Sequence, residues 1–326
     1  MLFSYLIAAN KGMSFADARH YARYALQGSR AIPDHSVHNT VTEAIREYSN
    51  IPVTFDHLNS FVERFKDWLG IPALNHFDAD FSSGTTQAFD SFYFRHRYKK
   101  FRCYIGEYFY HLKNWESNNV EWSFITKENP LTEGDALVLS YPFCDTGNFY
   151  NINVLEECCS KNIPVLLDMC YYPLTNNDCD SDFNYKCIDT IAFSLSKVFP
   201  VANYRIGVRY TNKNVYDGQK LHHSINYNNM LSAFIGLRLI DKYSVSYIYD
   251  IYKHKQKDIC NFFKLIPSDS VLFGIGDESW DIYSRRNLLS VYQLTYDTSM
   301  FCNRICLNPI YEHWNLYERF KNVYPT

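Results

Sequence analysis

One lysine of the chain lies in a setting that suits covalent chemistry. The stretch SLSKVFPVANYRIG, residues 194–207, places Lys197 between two serines and an arginine. An apolar run that ends at Phe193 precedes it, so Lys197 follows a predicted buried strand. A charge at such a position is costly unless it has a partner or a chemical task. A lysine whose amine is kept partly neutral attacks carbonyl carbons, and we predict this chemistry for Lys197, with a buried structural lysine as the alternative.

A carboxylate, Asp168, lies at the end of a second predicted strand. It closes the apolar run IPVLLD, and parallel sheets bind ligands at the carboxyl ends of their strands. The alternative is a cap of the turn or helix that follows. A lysine and an acid are two groups that an enzyme using pyridoxal 5′-phosphate (PLP) needs. The lysine forms a Schiff base, and the acid keeps the pyridine ring protonated as an electron sink.

The residues around this pair resemble the class I/II aminotransferases, fold-type I PLP enzymes such as aspartate aminotransferase. In that family a tyrosine three residues after the acid bonds the phenolic oxygen of the cofactor, and Tyr171 stands there. A Ser-x-Ser-Lys frame is followed by an arginine eight residues after the lysine and a glycine two residues later. The matching residues here are Ser194, Ser196, Lys197, Arg205 and Gly207. By resemblance, Lys197 forms the Schiff base, and Ser194 and Arg205 bind the phosphate, which a guanidinium grips with two hydrogen bonds.

The resemblance also assigns contacts upstream of this frame. The turn of Ser83, Gly84 and Thr85 resembles the family's phosphate turn, where backbone N–H groups at a helix start bind the anion. In GEYFYHLKNW, Tyr108 matches the residue that stacks on the cofactor ring, and His111 matches the one that supports the acid from behind. For Tyr108, an ordinary aromatic packing role is the alternative, because the chain has 28 Tyr and 24 Phe.

Two further assignments come from the same resemblance. Tyr48 matches a tyrosine that reaches the phosphate in the site of the other subunit. Arg304, in CNRICLNP, matches an arginine that binds the substrate carboxylate, with Arg285 and Arg286 as rival candidates. The alternative for Arg304 is an ordinary surface arginine.

One position departs from the family pattern. Where the family has Asn-Pro-x-Asn-Pro-Thr-Gly, this chain has YPFCDTG over residues 141–147, so Cys144 replaces the asparagine that bonds the phenolic oxygen. A thiol is a weak hydrogen-bond donor, which leaves more of that contact to Tyr171. The departure motivates a reaction other than transamination as an alternative.

The apolar pattern predicts the elements that position these residues. Residues 41–69 predict two helices, and four later apolar runs, which alternate with helical segments, predict a mostly parallel sheet: FRCYIGEYF, DALVLSYPF, IPVLLDMCYY and DTIAFSLS. After residue 210, a long helical stretch and the strand-like pieces RRNLLSVYQLTY and MFCNRICLN predict a second domain. We therefore expect a three-layer α/β domain with the PLP-transferase fold and a smaller α+β domain. The predicted units are an N-terminal segment, 1–47, packed on the small domain; a large PLP-binding domain, 48–210; and a small C-terminal domain, 211–326.

The composition limits the kinds of partner that we expect the protein to bind. The net charge of −3 gives no general attraction to nucleic acid or anionic membranes. The apolar N-terminus lacks a basic leader and is too short to span a bilayer, and ten cysteines without a CxxC pair suggest reduced thiols, so we expect a cytoplasmic protein. The histidine pairs at 35 and 38 and at 222 and 223 lack a third ligand at a recognisable spacing, so we expect no metal.

Three functions follow from these patterns. The first is a PLP-dependent aminotransferase that acts on an amino acid or amine with a 2-oxo acid as acceptor. The second is a PLP-dependent lyase, cyclase or decarboxylase, since a fold does not fix a reaction. The third is a non-catalytic ligand sensor or partner subunit. By resemblance the protein is a homodimer with shared active sites.

Overall fold

The computed structural model describes residues 14, 16–17, 25–51, 56–177, 183–212, 215–283 and 303–323. Its helices are α1 (His35–Tyr48), α2 (Asp56–Leu69), α3 (Thr85–Arg95), α4 (Phe109–Ser117), α5 (Val154–Ser160), α6 (Gly218–Ser224), α7 (Met230–Lys242), α8 (Tyr247–Phe263), α9 (Asn308–Glu312) and α10 (Trp314–Val323). Its strands are β1 (Asp78–Ser82), β2 (Lys100–Cys103), β3 (Trp122–Phe124), β4 (Asp135–Ser140), β5 (Val165–Asp168), β6 (Ile188–Ser194), β7 (Gly207–Thr211), β8 (Ile266–Pro267), β9 (Phe273–Gly276) and β10 (Asn303–Cys306).

A seven-stranded, mostly parallel sheet forms the centre of the fold, in the order β1-β7-β6-β5-β4-β2-β3. The pairs from β6 through β3 are parallel, whereas β7 is antiparallel to both of its neighbours. Strand β1 therefore runs in the same direction as β6. As a result, β1, β4, β5 and β6 present their carboxyl ends at one edge of the sheet, where ligands of α/β proteins bind.

Both faces of this sheet are covered. Alternate residues of β4 point to opposite sides: Leu137 and Leu139 join the core that includes α2, and Ala136 and Val138 join a second core that includes α3 and α4. Every residue of β4 and β5 is buried, which explains why their sequences are continuous apolar runs. The predicted three-layer α/β architecture is confirmed.

The remaining elements follow β7. Helix α7 packs against α1 and α2 in one of the layers that cover the sheet. Strands β8, β9 and β10 form a separate three-stranded antiparallel sheet, which α8 contacts. The predicted strand in MFCNRICLN is confirmed as β10, and the piece RRNLLSVYQLTY lies outside the described residues. The domain boundaries after residues 47 and 210 stay predictions.

Candidate active site

A cavity lies at the carboxyl edge of the parallel strands. It contains the end residues of three of them, Ser140 of β4, Asp168 of β5 and Ser194 of β6. The predicted site residues that line it are Thr85, Tyr108, Cys144, Asp168, Tyr171, Ser194, Ser196, Lys197 and Arg205. The fold thus brings together side chains from segments that are far apart in the sequence.

One group of residues at the cavity has the donors with which an anion could be bound, and we call it the anion site: Gly84, Thr85, Thr86, Ser196 and Arg205. The start of α3 supplies unpaired backbone N–H groups and the positive end of a helix dipole. The Arg205 guanidinium lies above this turn, with Nη2 3.2 Å from Thr86 Oγ1 and Nη1 3.5 Å from Ser196 Oγ. Hydroxyls, backbone N–H groups and a guanidinium are the donors that a phosphate group needs.

Glycine is required at position 84 of this anion site. Its backbone has φ +74° and ψ 178°, a region that is essentially restricted to glycine. A Cβ atom there would lie 2.2 Å from Nη2 of Arg205. Gly207, at the start of β7, is needed because a Cβ atom would meet backbone: it would lie 2.5 Å from the Phe193 carbonyl oxygen and 3.2 Å from Cα of Gly84.

Asp168 lines the cavity and is 3% exposed. Burial raises the pKa of its carboxyl from 3.8 to about 6, although hydrogen bonds from Cys170 and the positive charge of Lys197 act in the opposite direction. The Cys170 backbone N–H donates to Oδ1 at 3.1 Å. A buried carboxylate with a raised pKa gains stability from a cationic partner, and a protonated pyridine ring is such a partner.

Lys197 projects into the same cavity and contacts a segment that the sequence did not assign. Its Nζ donates to the Ser29 carbonyl at 2.5 Å, and the Ser29 hydroxyl is 2.8 Å from the Tyr171 hydroxyl. The neighbouring carbonyls of residues 27 and 30 accept hydrogen bonds from Arg304 and Asn308. The 27–30 segment is therefore held across the cavity, and Ser29 and Arg30 line it.

Sequence reasoning missed these lining residues because nothing in QGSRAIP matches a motif. The segment follows a helical turn at residues 25–27 and has no periodic pattern of its own. The presence of small and polar residues before Pro33 signals a loop but does not show what the loop crosses.

Cys144 lies where the resemblance expects a hydrogen-bond donor to the cofactor, and it lines the cavity. Its backbone N–H donates to Ser140 Oγ at 2.7 Å. The carboxylate of Glu107 in turn accepts from the Ser140 N–H at 2.9 Å and from its hydroxyl. Glu107, which the sequence did not single out, thus supports the loop that carries Cys144.

Other predicted residues lie outside the lining of the cavity. His111 is buried beneath Tyr108, with ring centroids 5.8 Å apart, and its Nδ1 is hydrogen-bonded to the Tyr93 hydroxyl. Ser83 donates its backbone N–H to the Gln87 side chain at 2.7 Å. Tyr48 packs on Phe234 at the end of α1, with ring centroids 5.5 Å apart.

Arg304 is 3% exposed and lies beside the cavity rather than in its lining. Its guanidinium donates to the carbonyls of Cys144 and Gln27 and lies 4.4 Å from the centre of the Phe273 ring. It therefore connects β10, the Cys144 loop and the 27–30 segment. The rivals Arg285 and Arg286 lie outside the described residues.

Comparison with solved structures identifies the fold. The chain is similar to an N-succinyldiaminopimelate aminotransferase from Mycobacterium tuberculosis, with a TM-score of 0.68, 11% identity, and coverage of 96% of this chain and 98% of the other. It is also similar to an aspartate aminotransferase from Thermotoga maritima, with a TM-score of 0.63, 14% identity, and coverage of 95% and 97%. A PLP-bound C-S lyase from Staphylococcus hominis matches with a TM-score of 0.62, 13% identity, and coverage of 92% and 91%.

Sequence comparison adds nothing to this result. No protein-family model matches the chain, and no curated protein matches it. The resemblance to fold-type I aminotransferases is thus confirmed at the level of the fold. At these identities the fold is common to transferases and lyases, and it does not specify the reaction.

The described residues also bear on two other classes of site. No group of three or more His, Cys, Asp or Glu side chains within those residues is placed to bind a metal ion. None of the helices in the described part of the chain is both long and apolar enough to cross a bilayer.

Proposed function

We propose that this protein is a PLP-dependent aminotransferase that moves an amino group from an amino acid or a related amine to a 2-oxo acid. The observation that carries the proposal is the convergence of Lys197, Asp168 and the anion site in one cavity. An amine, a buried acid and a phosphate site are what PLP requires of a protein. Lys197 follows β6, Asp168 ends β5, and the glycine turn of the anion site follows β1, so proximity in the sequence does not explain their meeting.

The residues present fit the cofactor. The anion site has the donors for a phosphate. Its glycine, Gly84, leaves space for the Arg205 guanidinium, and a side chain at position 84 would occupy that space. At the other end, Asp168 holds a buried charge that a cationic ring nitrogen would stabilise. Tyr171 and Cys144 also line the cavity and are the candidate partners of the phenolic oxygen.

When bound, PLP supplies an electrophilic carbon and a ring that accepts the electron pair left by the substrate. Lys197 Nζ would attach the cofactor, be displaced by the substrate amine, and then carry the substrate α-proton as base and acid. Asp168 would keep a proton on the ring nitrogen. Arg304 would orient the substrate carboxylate, provided that its guanidinium exchanges a backbone carbonyl of the 27–30 segment for that carboxylate.

A lyase reaction is the second candidate, and Cys144 is the observation that favours it. The thiol stands where the aminotransferase pattern has asparagine, so hydrogen bonding to the phenolic oxygen is weaker. A C-S lyase is also among the solved structures of similar fold. The two reactions share Lys197 and Asp168 and differ in what the substrate releases.

The first experiment tests PLP chemistry at Lys197. Purified protein incubated with PLP is reduced with borohydride, digested and examined by mass spectrometry. We expect the cofactor to be fixed on the peptide that contains Lys197 and to be lost in Lys197→Ala, whereas the surface control Lys253→Ala behaves as wild type. Reduction that labels several lysines equally, or none, would contradict the proposal and favour a non-catalytic role.

The second experiment separates transamination from elimination. The PLP-loaded protein is mixed in single turnover with a panel of amino acids, without an acceptor. Transamination converts the cofactor stoichiometrically to its pyridoxamine form and yields one 2-oxo acid per site. Continuous release of ammonia with the cofactor unchanged would replace the aminotransferase proposal by the lyase.

We further propose a homodimer in which Tyr48 of one subunit completes the site of the other. In a dimer of this kind, Lys197→Ala and Tyr48→Phe variants each have damaged sites, but a mixed dimer has one wild-type site. Random mixing of the two variants should then restore about a quarter of the wild-type sites. Mixing without recovery would show that Tyr48 acts within its own subunit or not at all.

A further inference from the structure

Two cysteines face each other on the surface away from the candidate active site. Cys159 lies in the last turn of α5, and Cys187 directly precedes β6. Their Sγ atoms are 2.7 Å apart, across a separation of 28 residues in the sequence. Both are free thiols. The contact joins two elements that connect adjacent parallel strands, so the fold itself holds the sulfurs together.

An open cleft gives access to this pair. Cys159 and Cys187 both line it, together with Asn162, Lys186 and Asn212. Cys159 is partly exposed, whereas Cys187 is 8% exposed. Cys159 is therefore the more accessible residue of the pair.

The neighbouring cysteine does not share this setting. Cys158 has its side chain in the core, fully buried, and burial raises the pKa of its thiol to about 12. Adjacent side chains on a helix point in different directions, so Cys158 is buried whereas Cys159 is partly exposed. Cys158 is therefore a matched control within the same helical turn.

Hydrogen bonds give the two sulfurs different roles. Cys159 Sγ accepts from the Cys187 backbone N–H at 3.3 Å, and the Cys159 thiol donates to Cys187 Sγ at 2.7 Å. The Cys187 thiol lies 3.2 Å from the Leu155 carbonyl, to which it donates. Cys159 is thus placed to attack, and Cys187 is placed behind it to complete the exchange.

We propose that Cys159 and Cys187 form a redox-active dithiol that a low-molecular-weight disulfide converts into an intramolecular disulfide. The Cys159 thiolate attacks one sulfur of the external disulfide, and the external S–S bond breaks to release one thiol. The Cys187 thiol then loses its proton, and its sulfur displaces the second external thiol from Cys159. The protein dithiol loses two electrons and two protons, and the external disulfide gains both as two thiols.

The disulfide would join the end of α5 to the start of β6. Strand β6 ends at Ser194, which lines the candidate active site. The modification site itself is independent of the reaction at Lys197, so its test needs no substrate and no cofactor.

The test is oxidation of the full-length protein with oxidised glutathione, followed by intact-mass and non-reducing peptide mass spectrometry. We expect wild type to lose two hydrogens per chain, with one crosslink between the peptides of Cys159 and Cys187, and to recover its mass with dithiothreitol. Cys187→Ser should instead accumulate one glutathione adduct on Cys159, because the second sulfur is missing. Cys158→Ser should form the crosslink at the wild-type rate.

Three results would overturn the proposal. The first is a crosslink that uses Cys158. The second is a wild-type protein whose thiols stay unmodified while a surface-thiol reagent still labels Cys159. The third is a Cys187→Ser variant that forms no adduct although circular dichroism shows that it is folded.

Discussion

Gly84→Ala is the change that most directly tests the anion site. The new Cβ would lie 2.2 Å from Nη2 and 2.7 Å from Cζ of Arg205, so the guanidinium must move off the turn. Losing its charge-assisted hydrogen bonds to a phosphate costs about 1.5 to 3 kcal/mol, which corresponds to a roughly 10- to 150-fold weaker affinity for PLP. The glycine-only backbone conformation adds about 1 to 3 kcal/mol of strain, which for a chain of this length lowers the melting temperature by about 2 to 4 °C.

The assay is an absorbance or fluorescence titration of the cofactor-free variant with PLP, together with a thermal melt. Gly134→Ala is the matched control, since a Cβ atom there meets nothing within 4 Å and its φ is not in the left-handed region. It should bind PLP and melt as wild type does. If Gly84→Ala binds PLP within twofold of wild type, Arg205 does not contribute to phosphate binding as inferred here.

Three further predictions concern buried charges. In the cofactor-free protein, Asp168 keeps its proton up to about pH 6 when folded but loses it near 3.8 when unfolded, so stability falls as the pH rises between these values. Urea denaturation should therefore show that the free energy of unfolding of wild type falls by about 2.5 kcal/mol relative to that of Asp168→Asn between pH 4 and pH 7. Arg209→Met should destabilise the fold by about 3 to 5 kcal/mol, because it leaves the fully buried Asp80 carboxylate without its main partner. Arg238→Met removes one member of an exposed ion pair and should lower the free energy of unfolding by less than about 1 kcal/mol. Equal losses in the two variants would refute the distinction between buried and exposed pairs. Arg304→Lys replaces the two separate guanidinium nitrogens that bond the backbone carbonyls by one compact ammonium group. It should raise the KM for the amino acid about tenfold with a smaller effect on kcat, and unchanged steady-state kinetics would contradict its role.

The sequence predicts the sheet and the position of the polar residues at its carboxyl edge well, for a physical reason. Strands buried on both faces have continuous apolar sequences, and the polar residue that ends such a run lies at the edge of the sheet. This rule places Asp168 at the end of β5, and Lys197 follows the end of β6. Both line the cavity that the structure shows.

The contacts that the sequence cannot predict are long-range and depend on backbone groups. A backbone carbonyl has no residue type, so the bonds from Lys197 to Ser29 and from Arg304 to Gln27 leave no sequence pattern. The contact between Cys159 and Cys187 cannot be predicted from the sequence either, because it depends on how α5 and the turn before β6 are placed relative to neighbouring strands. Each of these contacts follows from the tertiary arrangement of elements rather than from local spacing.

The antiparallel strand β7 affects the kinetics of folding. It lies between β1 and β6, and the two halves of the anion site, at Thr86 and Arg205, are separated by 119 residues in the sequence. Closing so long a loop has an entropic cost that must be met before its contacts contribute, which makes this pairing intrinsically slow. The groups proposed to bind phosphate come together only when these distant segments pair, so PLP affinity should appear late during refolding if the proposed site is correct.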